Sequence, residues 1–236
     1  RMRARSIFIV ERPLSQGKAR RFDTYTFDGQ RFELLAADSP GGIFSAMAYD
    51  EANKRVVLYG GISDNTVRGE THFLSAQGVW SRFDGPAPTP PRSDAGLVYD
   101  PRRGQIVLLG GTSQRRLPHI NTSEPGDWIL GEGGWTELPR SDIVPGGRVG
   151  AAVAYHHAAG RLISADGEGK GGPKRFETWA MDSETSAWAR VFVRDVPPRS
   201  RAPRMVYDHV DKTLLLTGEG YTTDLGVWRF AYLSPT

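Results

Sequence analysis

The sequence predicts an all-β fold made of repeated four-stranded antiparallel units. Three observations carry this. Short apolar runs are bounded by turn residues along the whole chain, and no stretch sustains a 3.6-residue apolar period. Gly (28) and Pro (16) are scattered between those runs rather than gathered into one linker, so they mark many turns. A tyrosine-to-glycine block recurs at Tyr49, Tyr99, Tyr155 and Tyr207, at spacings of 50, 56 and 52 residues.

Each unit reads as strands a to d. Strand a is the Ala46-Met-Ala-Tyr-Asp type, repeated as Gly96-Leu-Val-Tyr-Asp, Ala152-Val-Ala-Tyr-His and Arg204-Met-Val-Tyr-Asp. A short turn leads to strand b, the Arg55-Val-Val-Leu-Tyr-Gly-Gly type. Eleven residues after each tyrosine stands Gly60, Gly110, Asp166 or Gly218. The glycine pair suits a sharp turn with close backbone approach, where a Cβ is unwelcome. The third unit replaces it with Asp166-Gly167 and the fourth with Gly218-Glu219; the Glu219 replacement has no local explanation. Strands c and d carry paired aromatics across a tight turn: Tyr25/Phe32, Phe73/Trp80, Trp128/Trp135 and Trp179/Trp188, with Trp228 as a fifth first member. Their expected task is packing between units. Asp50, Asp100 and Asp208 follow strand a, where an Asx-type turn suits them; His156 takes that place once.

The period, the glycine pair, the spaced aromatics and the Pro-Pro-Arg-Ser entry at Pro90–Ser93 and Pro197–Ser200 resemble the kelch-repeat β-propeller family, in particular bacterial kelch-type arrays. The resemblance covers almost the whole chain. It implies a single β-propeller domain over 1–236, with about five four-stranded blades of which the first and last are incomplete. They fall at 6–36 (partial, strands b to d), 43–84, 94–139, 149–193 and 203–236 (partial, strands a to c). Such a ring either closes at five blades or is part of a six- or seven-bladed one, completed by further sequence or by another chain.

Composition bounds the partners. The formal charge is +3 and the Lys and Arg residues are dispersed, which is mild support for an anionic partner and none for nucleic acid. With no cysteine, disulfides and thiol nucleophiles are excluded. No apolar run is long enough for a transmembrane helix, and Ser6–Val10 is too short for a signal-peptide core. No metal site or cofactor is expected: adjacent His156 and His157 point to opposite faces of a strand. The resemblance implies an extracellular or cell-surface location, with cytoplasmic as the alternative.

In a four-stranded meander the b–c and d–a connections leave on one face, and long loops on a rigid scaffold are where binding usually resides. The b–c loops carry Arg68, Arg115, Arg116, His119, Lys170, Lys174 and Tyr221. The d–a connections carry Arg92, Asp94, Arg148, Arg199 and Arg201. In kelch proteins that hold partner peptides, arginines of these loops ring the central opening; by resemblance Arg148 and Arg201 take that role, and the arginine fork suits a carboxylate.

Three functions stay open. The first is a non-catalytic module that binds a partner protein, an acidic peptide or an acidic glycan through Arg68, Arg115, Arg116, Arg148, Lys170, Lys174, Arg201 and Tyr221. The second, by resemblance, is an epimerase-like or lyase-like enzyme with Glu168, Glu219 or His119 as acid or base; a copper-radical oxidase needs a cysteine that this chain lacks. The third is a structural subunit whose incomplete blades pair with another chain.

Overall fold

The computed structural model describes residues 6–12, 20–114, 124–140, 143, 145, 148–167, 176–193, 200–220 and 225–230; of 200–202, 219, 220, 225 and 230 the backbone alone is described. Five antiparallel sheets are arranged as a five-bladed β-propeller. Blade 1 holds β1 (Ser6–Arg12), β2 (Arg21–Phe27) and β3 (Phe32–Ser39). Blade 2 holds β4 (Ala46–Asp50), β5 (Arg55–Tyr59), β8 (Thr71–Leu74) and β9 (Trp80–Phe83), with β6 (Ile62–Ser63) and β7 (Thr66–Val67) as a small hairpin in its b–c loop. Blade 3 holds β10 (Gly96–Asp100), β11 (Gln105–Leu109), β12 (Trp128–Gly131) and β13 (Gly134–Glu137). Blade 4 holds β14 (Ala152–His156), β15 (Arg161–Ala165), β16 (Thr178–Asp182) and β17 (Trp188–Val191). Blade 5 holds β18 (Ser200–Asp208), β19 (Thr213–Gly220) and β20 (Leu225–Phe230). Among the described residues there is no helix, and blades 1 and 5 have three strands each.

The hydrophobic core lies between blades. Strand b is covered on both faces, so Val56, Val57, Leu58 and Tyr59 are all buried, as are Ile106 to Leu109. Each such side chain withdrawn from water contributes roughly 1.5–3 kcal/mol. One cluster joins blades 2 and 3 through Tyr59, Leu97, Leu108 and Trp135; a second joins blades 3 and 4 through Val107, Tyr155, Trp179, Met181 and Trp188. The third, between blades 4 and 5, is richer in alanine: Ala152, Ala154, Ala165 and Ala180 with Ile163, Phe176, Leu214 and Leu216.

The aromatics pack between blades, and three tryptophans of the d strands use their indole N–H as well. Trp80 Nε1 donates to Thr24 Oγ1 at 3.0 Å, Trp135 Nε1 to Thr71 Oγ1 at 2.9 Å and Trp188 Nε1 to Asp127 Oδ2 at 2.8 Å. Each bond runs from strand d of one blade to the blade before: to the middle of strand c at Thr24, to its first residue at Thr71 and to the residue just before it at Asp127.

The turns after strand a are Asx turns. Asp50 accepts from the Asn53 amide, Asp100 from the Arg102 and Arg103 amides, and Asp208 from the Val210 and Asp211 amides. In blade 4 the His156 imidazole fills the same place: its Nδ1 accepts from the Ala159 amide at 3.1 Å.

The glycine pair also has a specific neighbour. Gly110 has φ +62°, and a Cβ there would overlap the Arg148 carbonyl oxygen, which accepts from the Gly111 amide at 2.7 Å. Gly60 and Gly61 meet the Arg92 carbonyl in the same way one blade earlier. The pair therefore docks onto the entry of the following blade. Asp166 adopts the same left-handed backbone, φ +58°.

Candidate functional site

The face where the b–c and d–a connections leave is organised by two buried arginines. Arg92 lies seven residues before Tyr99, and Arg148 seven before Tyr155. The Arg92 guanidinium donates to the carbonyls of Gly110, Pro125 and Gly126 at 2.8–3.1 Å, closing the b–c loop of its own blade. Arg148 does the same in blade 4, donating to the carbonyls of Asp166 and Gly167 and pairing with the Glu177 carboxylate. Each arginine thus links two blades: its carbonyl receives the preceding glycine pair and its fork holds the loop of its own blade. In blade 2 the position belongs to Gly42, and Ser45 Oγ donates to the Gly60 carbonyl instead, at 2.9 Å.

This corrects the expectation for Arg148. It was expected to offer its fork to an outside carboxylate at the central opening, but it is 7% exposed and its partners belong to the chain. The physical reason is that b–c loop carbonyls leave strand b without sheet partners, and a buried carbonyl needs a donor.

The central mouth is a concavity of about 270 Å³ lined by the first residues of four a strands, from Ser45, Asp94, Gly150 and Pro203 onward. The Asp94 amide donates to the Phe44 carbonyl and its carbonyl accepts from Gly150, so the rim of the mouth is tied across blades 2, 3 and 4. Its charged lining residues are Asp94 and Arg204. Arg204 is exposed, and its guanidinium donates to its neighbour's carbonyl, Pro203, at 2.9 Å.

Two further concavities open on the same face. One, of about 200 Å³, is lined by Pro40, Gly60, Arg68, Glu70 and His72. Arg68 is half-exposed and makes a 3.5 Å ion pair with Asp64. Burial pushes the His72 imidazole below its usual range, against the opposing pull of Glu70. The other, of about 90 Å³, sits between blades 3 and 4 and is lined by Glu124, Asp127, Arg140, Arg148 and Trp188. Burial pushes the Asp127 carboxyl up, opposed by the Trp188 hydrogen bond and by Arg92. The sequence reading missed Asp127. It occupies the place of Thr71, one residue before the c strand, and only its neighbours Trp188 and Arg92 set it apart from other loop acids.

The remaining site residues fall elsewhere. Arg115, Arg116, His119, Glu168, Lys170, Lys174 and Tyr221 lie outside the described residues. Of Arg201 and Glu219 the backbone is described, and the register places them directly opposite each other. The Glu219 anomaly has a backbone explanation. Strand b ends at Tyr59, Leu109 and Ala165 in blades 2 to 4, but β19 continues to Gly220, so no left-handed turn is required at Gly218-Glu219. On the opposite face His157 packs against Tyr207 and His209, with ring centroids 5.0 and 4.7 Å apart. Among the described residues no group of three or more His, Cys, Asp or Glu side chains is arranged to hold a metal ion.

No protein-family model and no curated protein matches this chain. The structure of YjhT, a bacterial kelch-repeat propeller protein, is similar to it, with a TM-score of 0.65 and 14% identity over 92% of this chain and 81% of that one. The likeness is one of fold: the chain has a kelch-type β-propeller fold similar to that of YjhT.

Proposed function

We propose that this propeller is a non-catalytic binding module that takes an acidic peptide segment of a partner protein across the face of the b–c and d–a connections. The observation that carries the reading is the central mouth, where Arg204 is exposed and, among the described residues, is paired with no carboxylate. Arg68 stands on the same face with a single long ion pair. The sequence also carries Arg115, Arg116, Lys170 and Lys174 between strands b and c of blades 3 and 4. Three concavities at the described residues, of about 90, 200 and 270 Å³, open on this face. Shallow recesses beside exposed arginines favour recognition of an extended chain over enclosed chemistry.

The test is calorimetric titration with a glutamate-rich peptide and a glutamine-rich control of equal length. The acidic peptide is expected to bind with an affinity that falls as salt rises, and the double variant Arg68→Glu, Arg204→Glu is expected to weaken it at least tenfold. Equal binding of the control, or an unchanged affinity in the double variant, would overturn the reading.

A further inference from the structure

On the face of the a–b turns, opposite the loop-bearing face, the repeat sets two histidines side by side. The second residue after the strand a tyrosine is Glu51, Pro101, His157 and His209 in blades 2 to 5. β14 lies against β18, so the equivalent histidines of blades 4 and 5 meet although they are distant in the chain. Both are exposed to solvent, and their ring centroids are 4.7 Å apart at an interplanar angle of 49°.

The surroundings hold the pair in place. Tyr207 stands edge-on to His209 with centroids 4.9 Å apart, and its ring is 5.0 Å from that of His157. Tyr155 stands edge-on to His157 at 5.1 Å. The Tyr207 hydroxyl accepts from the Ala158 amide at 3.2 Å, which ties the turn carrying His157 to strand a of blade 5. Ligands held by packing lose less freedom when they bind.

The spacing is that of a chelating pair. A zinc ion lies about 2.0–2.1 Å from an imidazole nitrogen and hence about 3.2 Å from the ring centroid, so two imidazoles at about 90–109° around one ion have centroids about 4.5–5.2 Å apart. The observed 4.7 Å falls inside that range. Neighbouring histidines of one strand point to opposite faces, whereas equivalent positions on two blades converge.

We propose that His157 and His209 chelate one divalent transition-metal ion, of the zinc or nickel kind, across the junction of blades 4 and 5. Imidazole is a favoured ligand of such ions. Among the described residues no third His, Cys, Asp or Glu side chain completes the set, so water fills the remaining positions. The ion joins two blades, and its binding therefore stabilises the folded chain.

The test titrates zinc chloride into the metal-free chain by calorimetry and follows thermal unfolding with and without zinc. One zinc per chain is expected to bind at this pair and to raise the unfolding midpoint. His157→Gln and His209→Gln should each weaken binding at least tenfold and abolish the rise. The double variant should lose hardly more, because a single imidazole no longer chelates. Each variant's zinc-free midpoint is its own reference, so lost packing is read separately from a lost ion. Zinc should also shift the imidazole proton resonances of His157 and His209 together. Magnesium, which prefers oxygen ligands, should do none of this. Zinc binding undiminished in either variant, losses that add in the double variant, resonance shifts at His72, His119 or His156 in place of the pair, or equal binding of magnesium would each overturn the proposal.

Discussion

The junction of blades 3 and 4 and the junction of blades 4 and 5 are built on one plan with different materials. At the first, Gly110-Gly111 docks onto the Arg148 carbonyl, Trp188 reaches Asp127, and Trp179, Met181 and Tyr155 fill the space between sheets. At the second, Asp166 stands where the first glycine stood and alanines take the facing positions. Blade 5 also enters with a β-bulge between Arg201 and Arg204, and its strand b runs past the usual turn. A repeat protein gains stability from each interface separately. The difference therefore says that the recurring elements of the repeat are interface parts: where the interface changes, the glycine pair goes with it.

Substitutions at the two junctions should separate them, beginning with the largest effect. Gly110→Val places a branched side chain at φ +62° against the Arg148 carbonyl, and about 4 kcal/mol or more should be lost, read as a fall in the urea midpoint. Arg148→Met removes the fork from two carbonyls and from Glu177, and should cost about 3 kcal/mol; Arg148→Lys should recover little, because one ammonium cannot serve a forked site. Trp135→Phe keeps the packing but orphans the buried Thr71 hydroxyl, a loss of about 1–3 kcal/mol at an unchanged m-value.

The blade 4–5 junction should answer to pH. His156 and His157 both meet Tyr207, and burial depresses both imidazoles, with His209 adding to the effect on His157 and Glu51 opposing it. A depressed folded-state value means that the unfolded chain binds protons first. Stability from these groups is complete above the ordinary value of 6.5 and is lost as pH falls through the folded values. Thermal unfolding between pH 7.5 and 5 should show that loss, and His157→Gln should flatten it. The smallest effect belongs to Glu219→Gly. Restoring the repeat's glycine at an extended position should cost about 0.5–1 kcal/mol, the opposite sign from what the glycine-pair pattern alone suggests.

Much of the fold is legible in the order of the residues. The order of strands and the Asx turns follow from local residue chemistry: Asp before a turn, glycine where φ is positive, apolar runs where both faces are covered. The site is less legible. Arg148 and Arg68 carry the same charge and both stand on loop-bearing connections, yet one is a buried clamp and the other a half-exposed rim residue. Asp127 reads as one more loop acid until its neighbours are known.

What the sequence by itself determined was the repeat: four-stranded units, their phase, and the residues that turn the chain. Periodic spacing and backbone preference are properties of neighbouring residues, and they survive without tertiary context. What only the tertiary structure decided was which side of an interface each polar group serves. Arg92 and Arg148 turn inward because the b–c loop carbonyls of their own blades lie within reach. The Trp135 indole reaches across 64 residues of chain to Thr71 because blade 3 lies against blade 2. Such partners are distant in sequence and adjacent only after the blades have assembled, so no local pattern announces them.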